Sequence, residues 1–353
     1  MNVVNSIASR KEISCVVFTT ENKINNWFKA ENIKIKRIAK QYNNAILRYW
    51  FYILFNFKCL IGLVINNPNS ILVYETYSVL PAYLYKNLFK KVNLIIHFHE
   101  YESSEEIKKS SAYSKFLHKI QVKLLKKAAI ISQTNNDRKQ LFLQDNPYLS
   151  ESKIITLPNY PPKEWFEYSK KNTIKNDTGV TKIVHVGAVS LDTMYTQEIV
   201  HWIIAQNGAY VLDFYTNNIT KEAKYFLDNV SNNNIRLLQG VNYFNLPKTL
   251  INYDIGLTLY KGHIPNYIYN VPNKVLEYIA CGLGVWYSSE LISTQKFINE
   301  NSINNCIKIN FSEVVGLKIQ ASFVKIFSEN FYKITDDYNL NLDKLLLEKQ
   351  KIK

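Results

Sequence analysis

The distribution of apolar and polar residues along the chain predicts strands that alternate with helices. Short apolar runs at 13–18, 71–74 and 92–98 have the length of buried strands, and polar or helical segments separate them. The pattern restarts at 182–186 and continues to a last apolar run at 283–287. This alternation is typical of βαβ units, and it therefore predicts an α/β protein with parallel sheets in both halves.

A proline-rich stretch separates the two halves. Residues 158–162 (PNYPP) end the first series of strands, and 163–181 is polar and lysine-rich, as expected of a linker. A chain of 353 residues has the length of about two domains. We therefore expect an N-terminal domain over 1–165, a C-terminal domain over 180–330 and a final helix over 331–353.

The formal net charge of +14 indicates acidic partners. Most of this charge is scattered lysine without a nucleic-acid-binding motif, so nucleotide phosphate or an anionic membrane surface explains it better than nucleic acid. The four cysteines are far apart and form no Cys-x-x-Cys pair, which argues against a zinc site or a redox pair. Reduced thiols and a polar N-terminus without a signal peptide predict a cytoplasmic protein.

One apolar stretch, 45–65, complicates the expectation of a soluble protein. A membrane-spanning helix needs about 20 apolar residues, but Arg48, Asn56 and Lys58 interrupt this one, and central charges are costly in lipid. Four interpretations stay open: a buried helix, a true span, an aromatic and basic helix at the membrane interface, and a helix with one face in the core and the other at the bilayer. The interfacial helix would place the protein at the inner face of the cytoplasmic membrane.

The most informative stretch is 271–285 (VPNKVLEYIACGLGV), which predicts a loop, a short helix, a glycine stop and a buried strand. Pro272 suits the first helical turn, and Gly282 suits the position after the last one. Lys274 and Glu277 are three residues apart, so they share one face of the helix. A helix N-terminus beside a lysine favours phosphate, and the carboxylate can accept hydrogen bonds from sugar hydroxyls. The alternative is a surface helix with an ordinary ion pair.

Further candidates follow from the rule that parallel sheets bind ligands at the carboxyl ends of their strands. His99 and Glu100 follow the apolar run 92–98, where a histidine beside a carboxylate can act as a general base or bind a sugar. The alternative is a histidine that caps neighbouring backbone. Gly187 follows the strand 182–186, where a glycine lets backbone approach phosphate. Lys261 could meet phosphate or acceptor, or could simply be solvated.

The pattern Asn-Lys-x-x-Glu-Tyr-x-Ala-x-Gly-x-x-Val at 273–285 closely resembles the donor-binding stretch of nucleotide-sugar glycosyltransferases of the GT-B fold, especially family 4 and its relatives. The resemblance implies two Rossmann-like parallel-sheet domains with a cleft between them and a C-terminal helix that crosses back to the first domain. It also implies that Asn273, Lys274 and Glu277 hold the diphosphate and ribose of the donor.

The same resemblance implies roles for residues elsewhere. In this family a histidine, often followed by an acidic residue, ends the strand that corresponds to 92–98 and meets the transferred sugar, which points to His99 first and Glu100 second. A Pro-Asn pair like the one ending at Asn159 recurs at the domain join near the donor, although a plain turn explains it equally well. Gly240 and Val241 resemble the segment whose backbone reads the nucleobase. The segments 74–100 and 131–162 look like those of bacterial surface-polysaccharide transferases.

The sequence departs from the family pattern in two places. Family 4 enzymes commonly carry two glutamates separated by seven residues; Glu277 matches the second, and Tyr269 stands in place of the first. No Arg and Lys follow Gly187, so Lys274, Lys261 and helix dipoles would have to meet the phosphate charge. These departures put retention of configuration in doubt, and in an inverting reaction Glu100 or His99 becomes a candidate general base.

Together these observations predict a glycosyltransferase of the hexosyltransferase type. It would move a sugar from a UDP- or GDP-sugar, as co-substrate, to a glycan or lipid-linked acceptor in bacterial surface polysaccharide synthesis. The first domain would bind the acceptor and the second the donor. No Asp-x-Asp pair occurs, so neither a catalytic metal nor a cofactor is expected. Two alternatives stay open: a non-catalytic GT-B-like subunit that supports a partner transferase, and a sugar-nucleotide epimerase of the same architecture.

Overall fold

The computed structural model describes residues 7, 10–20, 30–38, 44–174, 178–316 and 325–327. The chain divides into two compact units, and the change from the first to the second falls between Pro158 and Asn159. The predicted final helix over 331–353 lies outside the described residues.

The first unit contains a four-stranded parallel sheet and a separate parallel strand pair. The sheet has the order β3-β4-β5-β6, and β1 pairs with β2. The strands are β1 (Cys15–Thr19), β2 (Ile33–Arg37), β3 (Ser70–Tyr74), β4 (Asn93–His97), β5 (Ile130–Gln133) and β6 (Ile154–Thr156). The helices are α1 (Ala45–Asn66), α2 (Val79–Leu88), α3 (Ser104–Lys109), α4 (Ala112–Leu125) and α5 (Asn136–Asp145). The core of this unit lies between the sheet and helices α2 and α4.

The second unit contains a six-stranded parallel sheet of order β12-β11-β10-β7-β8-β9. Its strands are β7 (Thr181–Val186), β8 (Tyr210–Thr216), β9 (Ile235–Gln239), β10 (Ile255–Thr258), β11 (Gly284–Ser288) and β12 (Cys306–Ile309). Its helices are α6 (Lys163–Lys171), α7 (Thr196–Ala205), α8 (Lys221–Asp228), α9 (Leu246–Leu250), α10 (Pro265–Ile268), α11 (Asn273–Ala280) and α12 (Ile292–Glu300). The strand order reverses between β7 and β10, and such a switch point is where open parallel sheets bind ligands.

Every strand pair among the described residues is parallel, which confirms the predicted α/β class with two Rossmann-like sheets. In the first unit the register runs from Ser70 opposite Asn93 to Tyr74 opposite His97. The carboxyl ends of β3 and β4 are therefore level. The same is true of β4 and β5, because His97 lies opposite Ser132.

The predicted linker over 163–181 is wrong in its first half, because 163–171 forms helix α6. Trp165 and Phe166 are 5% and 0% exposed and pack into the core of the second unit. Ser169, one turn further along, is also buried, so the lysines lie on the outer face of an amphipathic helix. This helix belongs to the second unit, which begins at Asn159.

Helix α1 carries large apolar side chains on its outer face. Trp50, Phe57 and Ile65 are 66%, 61% and 72% exposed, whereas Asn56 and Cys59 are buried. Only 17% of the most apolar part of this helix is buried, which argues against a helix buried on all sides, while Leu60 and Leu63 pack against the core of the first unit. By length and composition this helix could cross a membrane, and it is the one helix in the described part of the chain that could.

Candidate active site

Helix α11 is fixed against the switch point of the second sheet by Tyr278. The phenol oxygen of Tyr278 accepts a hydrogen bond of 3.0 Å from the backbone N–H of Val186, the last residue of β7. The ring lies directly on Gly256 in β10, where a Cβ would have no room. One buried side chain thus holds the helix against both strands that border the switch point, and it sets the position of Lys274 one turn earlier.

Lys274 is 8% exposed and has no hydrogen-bond acceptor or carboxylate within ion-pair distance among the described residues. Its Nζ lies 3.5 Å from Nε2 of His185, but that nitrogen is 2.9 Å from the backbone oxygen of Ala188. Because a carbonyl only accepts, Nε2 carries the proton and donates it to Ala188, so it cannot accept from Lys274. The face of Tyr260, 5.0 Å away, adds a cation–π contact and no acceptor.

Burial changes the ionisation of all three groups at this point. It lowers the pKa of Lys274 to about 8, although the neighbouring Glu277 opposes the change. It raises the pKa of Glu277 to about 7, and here Lys274 opposes the change. Burial and the Lys274 charge lower the pKa of His185 to about 3, so the imidazole is neutral. The site therefore contains a buried cation whose charge is poorly compensated.

Gly187 brings the backbone after β7 up to this cation. Its φ is +111°, a conformation that suits glycine, and a Cβ at this position would lie 3.5 Å from Nζ of Lys274. No side chain caps the N-terminus of α11, whose first residue, Asn273, is exposed. The structure thus brings together Gly187, Lys274 and an uncapped helix N-terminus, an arrangement that favours an anion. Glu277 lies half-buried one turn further along the helix.

The other predicted residues of the second unit lie farther along the sheet edge or already have partners. Lys261 donates to the backbone oxygen of Leu191 at 2.8 Å and lies 3.7 Å from Glu198, so its charge is already matched. Gly240 and Val241 follow β9, two strands from β7, and Val241 packs against the hydrophobic core.

Asn159 opens the second unit and is half-buried. Its neighbours in the sequence, Tyr160 and Pro161, are buried, so this stretch is anchored to the protein rather than a loose connection. Tyr160 packs near Phe297 of α12, with ring centroids 6.2 Å apart.

In the first unit, His99 and Glu100 lie in a backbone segment that is held from two sides. The Glu75 carboxylate accepts hydrogen bonds from the N–H groups of both residues, at 3.0 Å from Glu100. Arg138 donates through Nη1 to the backbone oxygen of His99 at 2.7 Å, and its Nη2 lies 3.5 Å from the Glu100 carboxylate. The His99 side chain remains 38% exposed, with Nε2 4.0 Å from Glu100.

Sequence reasoning missed Glu75 and Arg138. Glu75 follows β3 directly and has a φ of +57°, which is unusual for a residue with a side chain. Burial raises its pKa to about 7, and Glu100 and Glu102 add to the effect. Its place after an apolar strand was a usable signal. Arg138 sits in the first turn of a polar helix, and nothing local in the sequence marks it as buried.

No protein-family model and no curated protein sequence matches the chain, whereas solved structures match its fold. Sucrose-phosphate synthase from Thermosynechococcus elongatus aligns with a TM-score of 0.70 at 12% identity, over 98% of this chain and 91% of that one. HepE from Anabaena, solved in complex with UDP, aligns with a TM-score of 0.65 at 11% identity, over 99% of this chain and 95% of HepE. The lipopolysaccharide outer core galactosyltransferase WaaB aligns with a TM-score of 0.61 at 13% identity, over 99% of this chain and 94% of WaaB.

The chain therefore has the fold of the GT-B glycosyltransferases, as the pattern at 273–285 predicted. At these identities the similarity defines the fold and no narrower family. Nucleotide-sugar epimerases share the fold as well, so the reaction has to be argued from the site.

Proposed function

We propose that this protein is a glycosyltransferase that moves a sugar from a nucleotide diphosphate sugar to a glycan or lipid-linked acceptor. The observation that carries the proposal is Lys274, a buried ammonium group without an acceptor in the described part of the chain. A buried charge is costly unless it is paired. The diphosphate of a nucleotide sugar supplies anionic oxygens at the same point as the uncapped end of α11 and the backbone of Gly187.

The second unit would be the donor domain. Lys274 and the backbone of Asn273 would bind the diphosphate, and Gly187 would let the chain approach it closely. The Glu277 carboxylate would accept hydrogen bonds from the ribose hydroxyls, and the backbone of Gly240 and Val241 would contact the base. Metal independence belongs to the proposal, because Lys274 and the helix dipole supply positive charge for the leaving diphosphate.

Two predicted donor residues have weaker support. Lys261 already bonds to Leu191 and Glu198, so we assign it to positioning the loop after β7 rather than to binding phosphate. Asn159 remains a candidate donor contact because of its position at the start of the second unit.

The first unit would be the acceptor domain. An acceptor hydroxyl would attack the anomeric carbon while the bond from that carbon to the diphosphate oxygen breaks. In an inverting reaction the hydroxyl proton would pass to His99 or Glu100, which follow β4 at the ligand-binding edge of the sheet. Fixed backbone around both residues supports this role, because a general base must be held in place. The product would belong to the surface polysaccharides of a bacterium.

Nucleotide binding tests the donor site directly. We expect UDP or GDP to raise the melting temperature of the wild type. At a hundredfold excess over Kd, the nucleotide should add about 2.7 kcal/mol to the free energy of unfolding. Lys274→Met should weaken this binding about a hundredfold, whereas Lys224→Met, at an exposed lysine of the same unit, should leave it unchanged. Glu277→Ala should weaken nucleotide binding and abolish turnover without unfolding the chain.

Other results would select one of the alternatives. Failure of every nucleotide to bind would favour a non-catalytic subunit. Conversion of a UDP-sugar to its epimer without an acceptor would favour an epimerase. Turnover near the wild-type rate in Glu277→Ala would refute the assigned donor site.

We further propose that α1 contacts an anionic membrane surface on the cytoplasmic side. Its exposed stripe repeats every three or four residues through Trp50, Ile53, Phe57, Ile61 and Ile65. Exposed Arg48 and Lys58 flank the stripe, and the whole chain carries a net charge of +14. An aromatic stripe with basic neighbours on a positively charged protein suits the interface of an anionic bilayer.

Vesicle sedimentation tests this contact. The wild type should bind phosphatidylglycerol-containing vesicles more strongly than neutral phosphatidylcholine vesicles. The double variant Trp50→Ser with Phe57→Ser should lose about tenfold in partition. Tyr225→Ser, at an aromatic residue 75% exposed in the second unit, is the control and should change nothing. The membrane contact would be overturned if the double variant and the wild type bound the vesicles equally. It would also be overturned if a dimer buried the stripe in solution.

A further inference from the structure

Glu75, the residue after β3, has a backbone conformation that normally requires glycine. Its φ is +57° and its ψ is 169°, a region that residues with a Cβ rarely adopt. Hydrogen bonds keep it there, because its N–H donates to the backbone oxygen of His97 at 3.1 Å and its own oxygen accepts from the N–H of Ser78 at 3.3 Å. Strained residues of this kind cluster at functional sites, so the contacts of the Glu75 side chain indicate what the strain serves.

The Glu75 carboxylate holds one face of the peptide group that joins His99 to Glu100. Its Oε1 atom accepts from the N–H groups of both residues, and Arg138 donates to the backbone oxygen of His99 at 2.7 Å. The His99 oxygen and the Glu100 N–H belong to one trans peptide group, so they point in opposite directions. Neither residue lies in a helix or strand. The direction of the His99 side chain therefore depends on one carboxylate and one guanidinium.

Charged and titratable groups lie around Glu75 on every element that packs near it. They are His97, His99, Glu100, Tyr101 and Glu102 at and after the end of β4, Arg138 on α5, His118 on α4, and Lys108, Lys115, Lys119 and Asp145 on the wall of the same cavity. Burial raises the pKa of Glu75 to about 7; its two N–H donors oppose this change, and the charges of Glu100 and Glu102 add to it. Burial lowers the pKa of His97 to about 3, so that imidazole adds no charge.

The charge of Glu75 decides how firmly the peptide group is held. An ionised acceptor forms hydrogen bonds roughly twice as strong as those of a neutral one. Protonation of Glu75 therefore weakens its bonds to the segment, and Arg138 then holds only the carbonyl side. Because a carboxyl group is ionised above its pKa and protonated below it, the segment is held firmly above pH 7 and loosely below it.

We infer that Glu75 is a positioning residue, whose ionised carboxylate fixes His99 and Glu100 in the orientation that proton transfer requires. The inference rests on the proposed function, which assigns the acceptor proton to one of these two residues in an inverting reaction. It deepens that function, because it names the group that controls the base and makes the control dependent on pH.

NMR spectroscopy of the full chain, labelled with ²H and ¹⁵N, tests the contact directly. In the wild type the amide signals of His99 and Glu100 should titrate with a midpoint near pH 7. Glu75→Gln keeps an oxygen that accepts both bonds but does not ionise, so it should remove this step. His99→Gln should keep the step in the Glu100 signal, because the carboxylate and not the imidazole causes it. Glu105→Gln is the matched control, at an exposed carboxylate of α3 that does not line the cavity, and it should titrate like the wild type.

Two further variants test whether the strained backbone serves the side chain. Glu75→Ala and Glu75→Gly both remove the carboxylate, and only alanine keeps a Cβ at a φ of +57°. The glycine variant should therefore melt at a higher temperature than the alanine variant, while both lose the amide titration. A merely structural role for the backbone at this position would leave the amide titration in place in both variants.

Hydrolysis of UDP-glucose, UDP-N-acetylglucosamine and GDP-mannose, with water in place of the acceptor, supplies the kinetic measurement. Water attacks the anomeric carbon, its proton passes to His99 or Glu100, and the bond from that carbon to the diphosphate oxygen breaks. For a sugar nucleotide that the wild type hydrolyses, Glu75→Gln should lower kcat about tenfold and leave KM unchanged. KM should not change because Lys274 and Gly187 belong to the other unit. Glu105→Gln should keep the wild-type kcat.

The outcomes separate this inference from the proposed function. Amide signals that titrate alike in the wild type and Glu75→Gln, a wild-type kcat in Glu75→Gln, or the same losses in Glu105→Gln would overturn the inference and leave the donor site untouched. Failure of both UDP and GDP to bind would refute the proposed function, whereas the amide titration would still establish that Glu75 holds the segment. If the wild type hydrolyses none of the three sugar nucleotides, the amide titration and the order of melting temperatures decide.

Discussion

Two buried cations, one in each unit, differ in how the protein treats their charge. Arg138 is 1% exposed and donates to the backbone of His99, to Thr134 and toward Glu100. Lys274 is 8% exposed and meets an aromatic face, a histidine that donates elsewhere, and no acceptor among the described residues. A buried cation with all these partners stabilises the loop around it, whereas one without them is placed to bind an anion. Burial alone does not distinguish structural from binding charges; the partners do.

The largest difference should appear when each cation is removed. Arg138→Met leaves the His99 carbonyl and the Thr134 hydroxyl without their donor, and should lower the free energy of unfolding by about 3 kcal/mol. Lys274→Met removes an unpaired charge and should leave that free energy unchanged or raise it by about 1 kcal/mol. Urea unfolding without nucleotide, followed by circular dichroism, measures both. Equal losses in the two variants would refute the contrast.

A smaller effect is expected at Gly187. Alanine at a φ of +111° should cost about 1–2 kcal/mol of stability, although a Cβ has room beside Lys274. The strain should also move the backbone away from the phosphate position and weaken UDP binding. Gly316→Ala serves as control, since a Cβ there meets nothing within 4 Å and its φ is not positive. Thermal unfolding and UDP titration of both variants measure these effects. If Gly187→Ala changed neither stability nor UDP affinity, the glycine would not belong to the site.

The smallest effect is a pH dependence from Lys274. Since its pKa is about 8 in the folded protein, UDP affinity should fall roughly fivefold between pH 8 and pH 9 as the ammonium loses its proton. The stability of the nucleotide-free protein should change in the opposite direction. Between pH 8 and the ordinary lysine pKa of 10.5 the unfolded chain binds the extra proton, so the free energy of unfolding rises with pH.

Lys274→Arg tests the assignment of that pH dependence, because a guanidinium stays charged throughout this range. UDP affinity in this variant should be flat between pH 8 and pH 9. The same decline in the variant as in the wild type would assign the titration to another group.

Sequence reasoning succeeded where the signal is local. Lys274 and Glu277 could be placed on one helix face, and Gly187 could be placed after a strand, because both depend on a few neighbouring residues. The contacts that complete the site are not local. His185, which lies beside Lys274, and Val186, which donates to Tyr278, are 89 and 92 residues away from these residues along the chain. No spacing rule connects residues that far apart.

Elsewhere the failures have separate physical causes. The lysines obscured the amphipathic pattern of helix α6, although the two adjacent aromatic residues, Trp165 and Phe166, were a usable signal. Helix α1 is apolar on nearly every side, so its sequence could not show which side faces the protein. Arg138 is held by a backbone oxygen 39 residues away, and the first turn of its own helix is polar.

The Tyr278 contact also has a consequence for synthesis on the ribosome. Strand β7 is translated long before α11. The N–H of Val186 therefore has no Tyr278 hydroxyl to donate to until 92 more residues have been made. Nascent chains that stop before α11 lack both the ring that covers Gly256 and the ammonium group beside Gly187. The proposed donor site is therefore completed late in translation, after most of the second sheet has been made, and truncated products that end before α11 would lack it.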